Sequence, residues 1–121
     1  MKIFLIALLS IGMSVAAQFS LKAGMSSPAV KVLLTQAFTA RTVFDILTNK
    51  YVFGGFFLYG LGAVVWLSVL SKWDVSKAYP LVGIGFILTL LVGAVAGEQI
   101  TALRAMGVLL IGAGVWLVAT S

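Results

Sequence analysis

Four long apolar stretches, joined by shorter polar segments, dominate the pattern of hydrophobic and polar positions along the chain. A helix that crosses a hydrocarbon core of about 30 Å needs about 20 residues, and each stretch is close to that length. The pattern predicts membrane-spanning helices at Ile3–Leu21, Tyr51–Leu70, Ala78–Gly97 and Thr101–Ala119. We therefore expect an all-α membrane protein in which residues 1–121 form a single four-helix transmembrane domain.

The segment between the first two spans, Lys31–Lys50, has a helical pattern of its own. Its apolar residues fall on one helical stripe: Leu33, Ala37, Ala40, Phe44 and Leu47. Pro28, preceded by two serines, predicts that the chain breaks between span one and this segment. Two structures fit this pattern: a short interfacial helix, or an early and tilted beginning of span two.

The N-terminal stretch has a second interpretation as a signal peptide. Lys2 is followed by an apolar run, and Val15-Ala16-Ala17 offers small residues for a cleavage site. The apolar character resumes at Phe19 and Leu21, after that site. A membrane span explains more of the pattern.

Composition supports an integral membrane protein and limits its chemistry. The 121 residues are 62% hydrophobic and 9% charged, with a mean hydropathy of +1.19, which leaves no room for a soluble catalytic domain. The net charge of +5 is spread over span ends, so we expect no nucleic-acid partner. Cysteine and histidine are absent, and no pattern indicates catalytic residues, a metal site or a cofactor. The sequence does not predict an enzyme.

Polar residues recur at four-residue spacing through span one: Ser10, Ser14, Gln18 and Lys22. This spacing puts them on one helix face, and polar groups exposed to lipid are costly. The stripe is therefore expected to face a protein interior or a substrate. Simpler roles stay open: Lys22 can extend to the headgroups, and Ser14 and Gln18 can join neighbouring helices by hydrogen bonds.

Glycine spacing predicts how the helices pack. Gly55 and Gly62 in span two, like Gly107 and Gly114 in span four, are seven residues apart. Small residues at such spacing let helix backbones approach closely, which favours a tight bundle or an oligomer.

Several short motifs together resemble a transporter superfamily. They are Ala78-Tyr79-Pro80-Leu81, Gly97-Glu98-Gln99-Ile100-Thr101, Gly107 and Gly112-Ala113-Gly114-Val115. In this order they resemble the EamA and small multidrug resistance branch of the drug/metabolite transporter superfamily. A finer resemblance is to the small subunits of the aminoarabinose-phosphoundecaprenol flippase (ArnE/ArnF-like). It is carried by Ser14-Val15-Ala16, Gln18, Lys22, Trp66-Leu67 and Ala78-Tyr79-Pro80.

The resemblance implies a multi-pass protein of the bacterial inner membrane that moves a polyprenyl-phosphate-linked sugar or a similar anionic lipid between leaflets. It also implies a dimer, with an identical chain or with a related four-span subunit. In such a protein Lys22 meets the phosphate, while Gln18, Ser14 and Tyr79 hydrogen-bond the sugar. Trp66 offers a stacking surface, although Trp66 and Tyr79 also suit the aromatic belt of a membrane protein.

Two other functions fit the same family pattern. One is export of small or cationic compounds, but proton-coupled exporters of the family carry a glutamate in the first helix where this chain has Ser14. The acids here lie near span boundaries, and Glu98 is expected to favour the nearby helix N-terminus or to pair with Arg104. The other is a non-transporting subunit that stabilises a glycosyltransferase or a carrier.

Overall fold

The computed structural model describes residues 2–121, and 83% of the chain is helical, with no strand in that range. The helices are α1 (Lys2–Met25), α2 (Pro28–Leu34), α3 (Ala40–Leu47), α4 (Lys50–Leu70), α5 (Val75–Ala78), α6 (Gly83–Val95) and α7 (Ala102–Thr120). A 3₁₀ turn over Tyr79–Val82 joins α5 to α6.

Four segments are long and apolar enough to span a membrane: α1, α4, the continuous run Val75–Val95, and α7. The predicted all-α fold with four spans is confirmed. The largest differences in boundaries are that α1 continues to Met25 and that the third span runs over Val75–Val95 where Ala78–Gly97 was predicted. Gly97 has a φ of +92° and reverses the chain after α6, which is why this span stops short of its predicted end.

The segment between the first two spans forms two short helices. Ser27 caps α2 by accepting from the Val30 amide at 3.4 Å, with Pro28 in the first turn. Thr39 caps α3 in the same way, at 3.3 Å from the Thr42 amide. A short helix separate from span two was expected in Lys31–Lys50, and α3 is such a helix, while α2 begins before this segment, at Pro28.

The alternative prediction, an early start of span two, is wrong. Asn49 caps α4, and its side-chain oxygen accepts from the amides of Tyr51 and Val52 at 3.0 and 3.3 Å. This cap fixes the start of the second span at Lys50. Val30 of α2 and Ile46 of α3 are buried in one cluster with Val52, so both short helices pack on the start of α4.

Helices α1 and α4 form the most extensive contact in the bundle. A Cβ added at Gly55 would lie 2.8 Å from a Leu21 side-chain carbon, and one at Gly62 would lie 3.4 Å from the Ser10 carbonyl oxygen. The close approach predicted from these two glycines is confirmed. In lipid, such close van der Waals packing replaces the hydrophobic effect as the force between helices.

Helix α7 is held much less closely. Its only buried residue is Val115, which packs against Gly83 of α6, while Leu109 and Leu110 are 70% and 73% exposed. Cβ atoms added at Gly107 and Gly114 would meet nothing within 4 Å, so the predicted packing role of these glycines is not used within the chain.

The contacts between helices fix their directions. Helix α4 is antiparallel to α1, because its successive residues contact α1 in reverse order. Helix α7 is antiparallel to α6 for the same reason. Helix α6 contacts α1 at Gly85. We call the end of the bundle that contains Lys2 and Val75 the first end. The end that contains Met25, Lys50 and the α6–α7 turn is the second end.

Candidate functional site

A cavity of about 600 Å³, here called the first cavity, lies between α1, α4 and the segment from Tyr79 to α6. Ligand pockets in proteins commonly measure about 300–1,000 Å³. The wall consists of Ser10, Ile11, Ser14, Val15, Gln18, Tyr59, Gly62, Ala63, Trp66, Tyr79, Val82, Gly85, Phe86 and Thr89. Four of the five predicted site residues, namely Ser14, Gln18, Trp66 and Tyr79, line it together.

The fifth predicted residue, Lys22, is not part of this wall. It lies one helical turn beyond Gln18 on the same face of α1, at the second end, and is exposed. The polar stripe of α1 thus has two parts at different depths along the bundle. Its uncharged members face the cavity, and its cation lies beyond it.

Ser10 and Ser14 have different surroundings although both line the cavity. The Ser10 hydroxyl is buried and donates to the Gly62 carbonyl of α4 at 2.7 Å, so it joins two helices. Within residues 2–121, the Ser14 hydroxyl and the Gln18 amide make no such bond. Their donors and acceptors are available to a ligand.

Among the wall residues that sequence reasoning missed, three carry an aromatic ring or a hydroxyl: Tyr59, Phe86 and Thr89. Tyr59 is seven residues from Trp66, so the two rings share a face of α4, and this spacing was a usable signal. Phe86 and Thr89 are three residues apart on α6, inside a run that is otherwise apolar. Nothing in that run indicates which face meets α1.

The first cavity has no ionisable acid or base in its wall apart from two tyrosines. It can offer hydroxyl and amide hydrogen bonds together with aromatic surfaces, which suits a sugar. The cavity is partly open to the surface of the bundle, and Tyr59 and Tyr79 in its wall are 44% and 67% exposed. Among residues 2–121, no three metal-ligating side chains cluster here or elsewhere.

A second cavity of about 450 Å³ lies at the second end, between α1, α6 and α7. Its wall contains Phe19, Phe86, Thr89, Leu90, Glu98, Ile100, Arg104, Val108 and Ile111. Phe86 and Thr89 also line the first cavity, so the two cavities are neighbours along α6.

The ion pair with Arg104, one of the two roles expected for Glu98, is not formed. Within residues 2–121 the only ion pair within 4.0 Å joins Arg41 and Asp45 on α3. Arg104 instead donates from Nη1 to the Gln99 carbonyl oxygen at 2.8 Å. The α6–α7 turn thus satisfies part of the hydrogen-bonding capacity of the guanidinium. The charged groups of Glu98 and Arg104 both face the second cavity.

Comparison with known proteins gives a consistent set of relatives. A protein of Pseudomonas savastanoi pv. phaseolicola, named "probable 4-amino-4-deoxy-L-arabinose-phosphoundecaprenol flippase subunit ArnE", is 45% identical over 58 residues, which are 47% of this chain and 51% of that protein. The corresponding ArnF subunit of Proteus mirabilis is 31% identical over 106 residues, 84% of this chain and 80% of that protein. The ArnF subunit of Serratia proteamaculans is 34% identical over 70 residues, 55% of this chain and 54% of that protein.

The extent of these matches differs. The first and third span about half the length of the relatives, whereas the match to the Proteus mirabilis protein covers most of both chains. No family model and no solved structure matches the chain. The resemblance expected from the motifs of α1, α4 and the third span is confirmed, and the chain belongs to the ArnE/ArnF family of small flippase subunits.

Proposed function

We propose that this chain is a subunit of a flippase that moves a polyprenyl-phosphate-linked sugar between the leaflets of the bacterial inner membrane. The relatives are named for 4-amino-4-deoxy-L-arabinose-phosphoundecaprenol, and we take a lipid of this chemistry as the substrate. The observation that carries the proposal is the first cavity, an uncharged hydrogen-bonding space inside a bundle of membrane-spanning length.

The cavity meets the physical requirements of headgroup transfer. A sugar that leaves water loses its hydration, and unpaired polar groups in an apolar medium cost several kcal/mol each. In our proposal Ser14, Gln18 and Tyr79 replace the lost hydrogen bonds, and Trp66 covers a face of the sugar ring. The partly open wall of the cavity lets the polyprenyl tail stay in lipid.

We propose that Lys22 acts at the boundary and not in the path. A lysine at a helix end keeps its ammonium near the headgroups, where it can attract the phosphate. This role agrees with its exposure at the second end. The proposed work of the chain is transport, and no residue is assigned a catalytic step.

We further propose a partner chain of the same kind, either a second copy or a related four-span subunit. The relatives are named as subunits, and the first cavity is only partly enclosed by this chain. A partner that covers the open part would complete the enclosure of a headgroup. The exposed face of α7, including Gly107 and Gly114, is also available for such contact.

Export of cationic compounds is less well supported. An antiporter that exchanges protons for cations needs a carboxylate in its binding space, and none lines the first cavity among residues 2–121. By the resemblance described above, Ser14 corresponds to the position at which the cation exporters of the superfamily carry that acid.

The test is reconstitution of the purified chain into liposomes, alone and together with a related four-span subunit, with labelled undecaprenyl-phosphate-linked aminoarabinose. We expect transfer between leaflets, reduced about tenfold in Gln18→Ala, the effect of about 1.4 kcal/mol from lost hydrogen bonding. Gln36→Ala, in the exposed turn between α2 and α3, is the matched control and should transfer at the wild-type rate. Absence of transfer under both conditions would instead indicate a non-transporting subunit.

A further inference from the structure

The second cavity is not explained by headgroup passage alone. It lies at the second end and shares Phe86 and Thr89 with the first cavity. It alone of the two cavities contains charged side chains, one acid and one base. Its volume of about 450 Å³ falls within the range of ligand pockets.

Glu98 is held in this cavity by the turn that ends α6. Gly97 takes its positive φ, and the amides of Gly97 and Glu98 donate to the carbonyls of Ala94 and Gly93 at 3.2 and 2.9 Å. This pair of bonds is a Schellman motif, which fixes the direction of the chain after a helix. The carboxylate then lies over Gly93, where an added Cβ would be 3.0 Å from Oε1.

Arg104 lies in the first turn of α7, and contacts at the start of this helix fix its position. Thr101 caps the helix by accepting from the Arg104 amide at 3.0 Å, and the guanidinium donates to the Gln99 carbonyl at 2.8 Å. One of its nitrogens is thereby anchored. The other donors of the guanidinium fork remain available, in the planar arrangement that suits phosphate.

Opposite charges that share a cavity but do not bind one another suit a ligand that carries both signs. The lipid proposed above has a primary ammonium on its sugar and an anionic phosphate beside the sugar. A carboxylate pairs with the first, and a guanidinium pairs with the second. At the end of the bundle these charges escape the large desolvation cost that they would meet at mid-membrane.

We propose that the second cavity is a docking site for amino-sugar phosphate headgroups, in which Glu98 accepts hydrogen bonds from the ammonium and Arg104 donates to the phosphate. This inference rests on the proposed flippase function and adds a basis for substrate selection. Phe86 and Thr89 line both cavities, so a headgroup docked there lies next to the first cavity. Glu98 therefore determines specificity for the free amine, and the first cavity does not.

The experiment compares binding of two lipids to the purified full-length chain in nanodiscs. One lipid is undecaprenyl-phosphate-linked aminoarabinose, and the other is its N-acetyl derivative, which lacks the positive charge. We expect the wild type to bind the amine form about fivefold more tightly, as for an exposed ion pair, and Glu98→Gln to bind both forms equally. Arg104→Gln should weaken binding of both forms by a similar factor and keep the preference.

Asp74→Asn is the matched control, since Asp74 is an exposed boundary acid at the first end and makes no side-chain cap. It should keep the wild-type preference. Equal binding of the two lipids by the wild type, or an unchanged preference in Glu98→Gln, would overturn the docking site while leaving the flippase proposal intact. Failure of the wild type to bind either lipid would overturn the docking site, and absence of transfer in the liposome assay would then overturn the flippase proposal as well.

Discussion

The two cavities differ in charge and in depth along the bundle. The first cavity extends from Tyr79 near the first end to Gln18, and its wall uses hydroxyls, an amide and aromatic rings. The second lies at the opposite end and holds Glu98 and Arg104 among largely apolar side chains. A charge is costly in the membrane interior and much less so at its edge. The comparison suggests a division of labour in which uncharged groups carry the headgroup and boundary charges select it.

Blocking the first cavity should have the largest effect on transport. Ala63 lines that cavity, so Ala63→Trp puts a large ring into the proposed headgroup path. We expect transfer in liposomes to fall by more than about tenfold, equivalent to over 1.4 kcal/mol. Val64→Trp is the control because Val64 is 63% exposed and lines neither cavity. Equal loss in both variants would contradict a role for the cavity.

The two serines of α1 should separate binding from stability. Ser14→Ala removes a hydroxyl that has no partner in residues 2–121, so we expect weaker lipid binding, about threefold to fivefold, and an unchanged melting temperature. Ser10→Ala removes the 2.7 Å bond to the Gly62 carbonyl and should cost about 0.6 kcal/mol of stability, typical of such bonds in membranes. Lipid titration and thermal unfolding in detergent measure the two effects. The reverse pattern would mean that Ser14, not Ser10, holds the helices together.

Crowding of the Glu98 carboxylate should reduce selectivity at the second cavity. Gly93→Ala puts a methyl group about 3.0 Å from Oε1, and the carboxylate must move. We expect the preference for the amine lipid to fall by about twofold, less than in Glu98→Gln. Gly107→Ala is the control, since an added Cβ there meets nothing within 4 Å. A preference that survives Gly93→Ala unchanged would mean that carboxylate position is unimportant.

Removal of Lys22 should have the smallest effect. Lys22 is exposed and lies outside both cavity walls, so Lys22→Ala loses only long-range attraction for the phosphate. We expect less than about a twofold change in lipid binding at 0.15 M salt, where charges are screened beyond about 8 Å. Titrations at low and physiological salt measure it. A loss as large as that of Gln18→Ala would put Lys22 in the transport path.

Sequence patterns predicted the spans well because bilayer thickness sets helix length. The end of the third span was missed because it depends on the backbone conformation of Gly97. The apolar stripe between spans one and two did not show where its helices begin and end. Those boundaries are set by the caps at Thr39 and Asn49.

The candidate site was predictable in part. A four-residue polar spacing on α1 identified Ser14 and Gln18, because polar residues in a span need a protected face. The position of Lys22 outside the wall depends on how far the cavity extends, which no local pattern records. The second cavity was missed because it forms only when the α6–α7 turn folds Glu98 back over Gly93.

Protection of single cysteines by substrate is the most informative measurement, and the chain has no cysteine of its own to interfere. Ser14→Cys puts a thiol in the wall of the first cavity, and Ser76→Cys puts one on exposed α5 at the first end. If the headgroup occupies the first cavity, undecaprenyl-phosphate-linked aminoarabinose should slow labelling of Ser14→Cys by a small methanethiosulfonate reagent about tenfold. Labelling of Ser76→Cys should not change. Equal labelling rates of Ser14→Cys with and without the lipid would contradict headgroup binding in the first cavity.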